Sequence, residues 1–156
     1  MPTTDNVLTD VLQREGAATH DPRDGGGRTQ YGISEAANPD AWSDGHVTEA
    51  EAREIYHRKY VVGPGFDHIP DHALRAQLID FGVNSGPMIA IMKLQAIVHA
   101  DVDGVLGPQT LGLLAQMHPE AVSNDLVKAR MLMICRIVQR NPSQIKYLAG
   151  WCTRAL

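Results

Sequence analysis

Glu15-Gly16, then Asp21-Pro22-Arg23-Asp24-Gly25-Gly26-Gly27-Arg28-Thr29-Gln30-Tyr31-Gly32-Ile33-Ser34, is the stretch on which the reading of this chain turns. So polar and glycine-rich a run cannot hold a long helix. Its three consecutive glycines let the backbone take positive φ or pass close to another group. Two carboxylates, a hydroxyl and a tyrosine follow Glu15 within twenty residues. Ahead of the run, Val7, Leu8, Val11 and Leu12 recur at the helical period, with Thr4, Asp5 or Asn6 as the capping residue. Glu15 lies four positions after Val11 and three after Leu12, so it is expected to continue the buried stripe. It also stands at the negative end of the helix dipole, because Gly16 comes next. Apolar surroundings and the dipole both favour the protonated carboxyl, the form a general acid needs. An ordinary ion-paired or snorkelling glutamate fits the same position.

Outward from this run the chain reads as helices joined by short loops. Thr48-Glu49-Ala50-Glu51 is a capping box opening a helix with Ala52, Ile55 and Tyr56 on one face. Pro64-Gly65 breaks the chain beyond that helix. Another helix is predicted from about Asp71 to Asn84, with Leu74, Leu78 and Phe81 on one face. After Ser85-Gly86-Pro87 a further one runs from Met88 to Val98. Asp101-Val102-Asp103-Gly104 reads as a turn, and Gly107-Pro108 starts the next helix with proline at its favoured first position. An apolar helix from about Asp125 to Val138 carries Met131–Ile134 as core. Asn141-Pro142 ends it, and a last helix carries Ile145, Leu148 and Trp151. The expectation is a mainly α protein whose only irregular or β-like region lies at about 16–45.

Composition bounds the function. A chain of 156 residues is one domain's worth, and 44% hydrophobic with 21% charged residues is globular. No apolar run approaches the roughly 18 residues of a membrane span, so no membrane insertion is expected. A net charge of −4 speaks against nucleic acid as a partner. Met1–Asp10 has no Lys or Arg and no apolar core, so no signal peptide is expected. Cys135 and Cys152 are too few for a disulfide scaffold; two free buried thiols or one disulfide remain open. His68 and His72 have helical spacing, but Pro70 lies between them. His99-x-Asp101-x-Asp103-Gly104 lacks the leading Asp and the closing Glu of a calcium loop. No metal and no cofactor are expected.

As a whole the order Glu-Gly, Asp-Pro-x-Asp, Gly-Gly-x-Thr-x-Tyr-Gly-Ile-Ser resembles the N-terminal signature of the N-acetylmuramidases of glycoside hydrolase family 108, a lysozyme-like group that includes phage and gene-transfer-agent endolysins. The resemblance continues through Ala52-xx-Ile55-Tyr56-xxx-Tyr60 and Asp80-Phe81-xx-Asn84-Ser85-Gly86. It goes on through Leu94-Gln95 with Asp103-Gly104-xx-Gly107-Pro108-xx-Leu111, to Gly150-Trp151-xx-Arg154. Two departures touch loop geometry and no carboxylate: Gly16-Ala17 stands where members often have Gly-Gly, and Gly25 where they often have Pro.

The resemblance implies a single α+β lysozyme-like domain over 1–156. About 5–85 would form the catalytic part, and about 86–156 a helical part resembling a peptidoglycan-binding segment. It implies a monomer whose partner is the peptidoglycan glycan strand. The activity implied is hydrolysis of the β-1,4 bond between N-acetylmuramic acid and N-acetylglucosamine. A lytic transglycosylase and a silent wall-binding or secretion accessory protein are the alternatives. Such chemistry needs an acid on the leaving oxygen and a base or nucleophile opposite it. Glu15 is assigned the acid, and Asp24 the second carboxylate with Asp21 as its rival. Thr29 would hold the attacking water, with a turn or capping role equally open. Tyr31 would stack on a sugar or bond Glu15, or simply pack. Asn84 would contact a sugar amide or cap its helix. The protein would be made in the cytoplasm and act in the periplasm or cell wall, released by a holin or another route.

Overall fold

The computed structural model describes residues 3–16 and 28–155, apart from the Arg154 side chain. Helix α1 spans Thr4–Glu15 and buries Val7, Leu8, Val11 and Leu12. Its cap is Thr3, one residue ahead of the expected positions. Asn6 has to stand three residues inside to complete the reciprocal pair, its Oδ1 accepting from Thr3 N at 3.0 Å while its own N donates to Thr3 Oγ1 at 3.2 Å.

A two-stranded antiparallel hairpin comes next, β1 (Thr29–Gln30) and β2 (Ile33–Ser34), with Thr29 opposite Ser34 and Gln30 opposite Ile33. Tyr31 and Gly32 form its two-residue turn with φ of 51° and 70°. Positive φ at both positions is the type I′ geometry that matches strand twist. The Arg28 guanidinium grips Glu35 with two bonds of 3.0 and 2.8 Å, donates to Gly45 O at 3.0 Å and lies 4.9 Å over the Trp42 ring. Such a forked pair fixes orientation as well as charge. Trp42 Nε1 in turn donates to Ile33 O, and Gln30 Oε1 accepts from Val47 N. The small lobe is thus tied by side chains rather than by a large sheet.

Helix α2 (Glu49–His57) starts at the Thr48–Glu51 capping box, whose hydrogen bonds from the Thr48 side chain and backbone hold the Glu51 carboxyl below its usual range. It runs straight into a π turn, Arg58–Val62, closed by Gly63 N donating to Arg58 O at 2.8 Å. Asp71 caps α3 (His72–Ser85), which buries Leu74, Leu78 and Phe81. Gly86, at φ 91°, turns the chain into α4 (Pro87–Ile97). Helix α5 (Pro108–Leu114) is followed by α6 (Pro119–Arg140) and, after a 3₁₀ stretch Pro142–Tyr147, by α7 (Leu148–Ala155).

Helix α6 begins six residues before the expected Asp125, because Pro119 opens it in the position that needs no donor. Two apolar expectations fail at this end. Of Met131–Ile134 only Ile134 is buried while Leu132 is 57% exposed, since a helix packed on one side hides one residue per turn. Ile145 stands in the 3₁₀ stretch, not in α7, and is exposed. Cys135 and Cys152 are free, but exposed and half-buried rather than buried.

Helix α1 packs on α2 and α3, α3 on α4, and α6 on both α3 and α4. One apolar core runs through all of them from Val7 to Leu126. Among the described residues no helix is long and apolar enough to cross a membrane.

Candidate active site

Glu15 is the last residue of α1, and the hairpin turn is folded against it. A Cβ added to Gly32 would stand 3.3 Å from Glu15 Oε2 and 2.7 Å from the Tyr56 hydroxyl. The bare Gly32 backbone therefore sits where α1, the hairpin tip and α2 meet, and it carries the positive φ that other residues resist. Tyr31 holds the neighbouring place. Its ring lies 3.5 Å from where Gly16 would carry a Cβ. A tyrosine at φ 51° is strained, and strain of this kind persists only where its surroundings enforce it.

Glu15 itself is exposed. The apolar surroundings expected of it are absent here, because the helix face that continues Val11 and Leu12 runs out of the core at the last turn. Among the described residues no hydrogen bond or ion pair ties its carboxylate. Tyr56, by contrast, is buried, and its hydroxyl is pushed up to about 12, first by burial, then by the Glu15 charge and by Tyr60. It is a neutral donor at any physiological pH.

Tyr60 stacks on Tyr56 with ring centres 5.4 Å apart, and the Lys59 ammonium stands 5.1 Å from the Tyr60 ring centre. Gly32, Ser34, Asn38, Tyr56, Lys59 and Tyr60 line a pocket of about 150 Å³. The π turn that begins at Arg58 supplies Lys59 and Tyr60. Turns of this kind are frequent at functional sites.

Of the residues singled out in the sequence, Glu15 and Tyr31 are brought to one place. Thr29 is half-buried at the start of β1, opposite Ser34 and therefore at the open end of the hairpin rather than its tip. Asp24 and Asp21 lie outside the described residues. Asn84 is exposed in the last turn of α3, where its Nδ2 donates to Asp80 O at 2.6 Å and to Asp80 Oδ2 at 3.3 Å. It lines a different pocket, with Arg130 and Trp151. Sequence reasoning missed Tyr56, Lys59 and Tyr60 as site residues. The i,i+4 spacing of the two tyrosines was the available signal, and it reads equally well as packing. Among the described residues no group of three or more His, Cys, Asp or Glu is placed to hold a metal. An exposed carboxyl, a neutral phenol and an aromatic wall suit an uncharged polyhydroxylated ligand and a proton transfer to it.

The profile of the family described as glycosyl hydrolase 108 matches residues 8–86, the segment that holds Glu15, the hairpin and Tyr56. The chain belongs to that family. A second profile, described as a predicted peptidoglycan domain, matches residues 89–156. The solved structure of Brucella abortus SagA is similar at 29% identity and a TM-score of 0.70, over 97% of this chain and 88% of that one. No curated protein matches the chain. The two profiles make this a glycoside hydrolase directed at peptidoglycan.

Proposed function

We propose that this member of family 108 is an N-acetylmuramidase that hydrolyses the β-1,4 bond between N-acetylmuramic acid and N-acetylglucosamine in an endolysin role, with Glu15 as the acid. The observation that supports it is the meeting of Glu15, the bare Gly32 backbone and the neutral Tyr56 hydroxyl at one point beside an aromatic pocket. In this reading Glu15 protonates the leaving glycosidic oxygen. A glycan lying over the turn covers the carboxyl and excludes the water to which it is open in the free protein. Tyr31 and Tyr60 present ring faces to sugars. Asp24, or Asp21 in its place, is the second carboxylate, and Thr29 helps hold the water. An inverting reaction requires the two carboxyl groups roughly 6.5–9.5 Å apart, a retaining one about 5–5.5 Å. Inversion is the proposed course, because Asp24 stands in a glycine-rich stretch of sequence and not among the apolar residues that pack α1. The protein reaches the wall from the cytoplasm through a holin or another release route.

Digestion of purified peptidoglycan followed by mass spectrometry tests this. Fragments ending in reducing N-acetylmuramic acid are expected. Predominantly 1,6-anhydro ends would reassign the chain to lytic transglycosylation, and reducing N-acetylglucosamine ends would move the cut to the other bond. NMR of freshly released product should show the α-anomer first; an initial β-anomer refutes inversion.

A further inference from the structure

The second half of the chain carries a pocket of its own, built by residues that the reaction leaves unused. It has a volume of about 150 Å³ and lies where the end of α3 meets α6 and α7. Asn84 and Ser85 come from the end of the segment matched as glycosyl hydrolase 108, and Arg130, Met133, Ile137 and Trp151 from the segment matched as a peptidoglycan domain. Arg130 is 5% exposed, a rare condition for arginine. Its guanidinium bonds Asp80 at 2.8 Å and lies 5.2 Å from the Phe81 ring centre. At the rim Trp151 meets the exposed Tyr147, ring centres 5.7 Å apart and tilted by 34°.

The side chains select the ligand. Arg130 is already ion-paired with Asp80, so its guanidinium is not a free anchor for an incoming carboxylate. Asn84 spends its Nδ2 hydrogens on Asp80, which leaves Oδ1 as an acceptor for an amide N–H. Ser85 offers a hydroxyl to a carbonyl oxygen, and Met133, Ile137 and Trp151 suit a methyl group. The exposed Tyr147 and the half-buried Trp151 beside it are suited to cover a sugar ring face.

We propose that this pocket is a second glycan-binding subsite that takes the 2-acetamido group of an N-acetylated aminosugar, with the ring lying against Trp151 and Tyr147. This rests on the peptidoglycan reading above and adds a grip on the strand separate from the bond being cut.

The test uses the full-length Glu15→Gln protein, so that ligand is not consumed, and reads NMR shifts and affinity for an oligomer of three N-acetylglucosamine units. The expected result is perturbation of the Trp151 indole and Asn84 amide signals. Asn84→Ala, an exposed change, and Trp151→Phe should each weaken that binding about threefold or more. The de-acetylated glucosamine trimer and a D-alanyl-D-alanine dipeptide should leave both signals unmoved. Perturbation confined to residues around Glu15, equal response to the de-acetylated trimer, or response to the dipeptide alone would overturn the subsite. None of these outcomes bears on the bond cleaved, which the digestion of peptidoglycan by the active protein decides independently.

Discussion

Two carboxylates beside two glycine turns behave in opposite ways. Asp103, beside Gly104, is held through one oxygen: its Oδ1 accepts from Gln95 Nε2 at 2.7 Å and from Val105 N at 2.8 Å. Gln95, 1% exposed, also accepts from Gly104 N at 2.8 Å and donates to Val105 O and Thr110 Oγ1. Glu15, beside the Tyr31-Gly32 turn, is exposed and, among the described residues, has no such hydrogen bonds. Both turns use a glycine at positive φ, 77° at Gly104 and 70° at Gly32, and both leave no room for a Cβ. What Gly104 makes room for is Met88 Cγ, which would lie 2.7 Å from a Cβ added there, whereas Gly32 faces the Tyr56 hydroxyl and Glu15 Oε2. A carboxylate bonded to the next turn of its loop and to the helix beneath holds that loop in place. One left open beside a neutral phenol is available to a substrate.

The sharpest way to break the comparison is Glu15→Gln. The amide keeps size and polarity but donates no acid proton, so lytic activity on peptidoglycan should fall by about 10²–10⁴-fold while denaturation midpoints stay put. A variant keeping more than about a tenth of the wild-type rate would remove Glu15 from the acid role.

The helices were the legible part of the sequence. Apolar spacing located α1, α3 and α4, and Thr48–Glu51 announced α2, because periodicity and capping are local signals. The region left as β-like holds the hairpin, whose sequence Gln30-Tyr31-Gly32-Ile33 hides its turn. Tyrosine is not a usual residue at positive φ, so the turn carries no local signal at that position. Glu15 was found by position and resemblance, but its exposure was not. Spacing tells which face a residue shares and not where the core stops. Tyr56, Lys59 and Tyr60 became visible as a wall only once α2 was set beside the hairpin. Arg130 was not anticipated either, since its partner Asp80 lies on another helix fifty residues earlier.

A paired substitution sharpens the comparison with a smaller effect. Gly32→Ala and Gly104→Ala each force alanine into the left-handed region at about 1–2 kcal/mol and push a side chain aside. Chemical denaturation should show comparable losses for both. Only Gly32→Ala should also cut the rate per folded molecule, by about ten- to a hundredfold, since displacement of about 1 Å at a reacting group is enough for that. Equal rates for the two variants would mean that the hairpin tip does not position the chemistry.

The smallest expected effect belongs to Asp103. The Gln95 side chain first, and the Val105 backbone next, hold its carboxyl below the usual range. A depressed folded-state pKa means that the folded protein keeps the carboxylate at pH values where the unfolded chain has begun to take up a proton. The resulting stability is present above the unfolded value of about 3.9 and is lost as pH falls through the folded one. Asp103→Asn removes that contribution and weakens the two bonds that Oδ1 accepts. The stability gap between wild type and Asp103→Asn should therefore be widest above about pH 4 and should narrow on acidification below it. Urea denaturation at a series of pH values reads this directly. The Asp103 side chain is open to solvent, so the narrowing should be slight, well below the loss for either glycine variant. A gap that stays constant across the acid range would show that the Gln95 bond responds to shape alone and that the Asp103 charge has no part in holding the turn. Measured in parallel at neutral pH, the variant's rate per folded molecule should match wild type. A rate loss there would place this turn, and not only the Glu15 turn, in contact with the glycan.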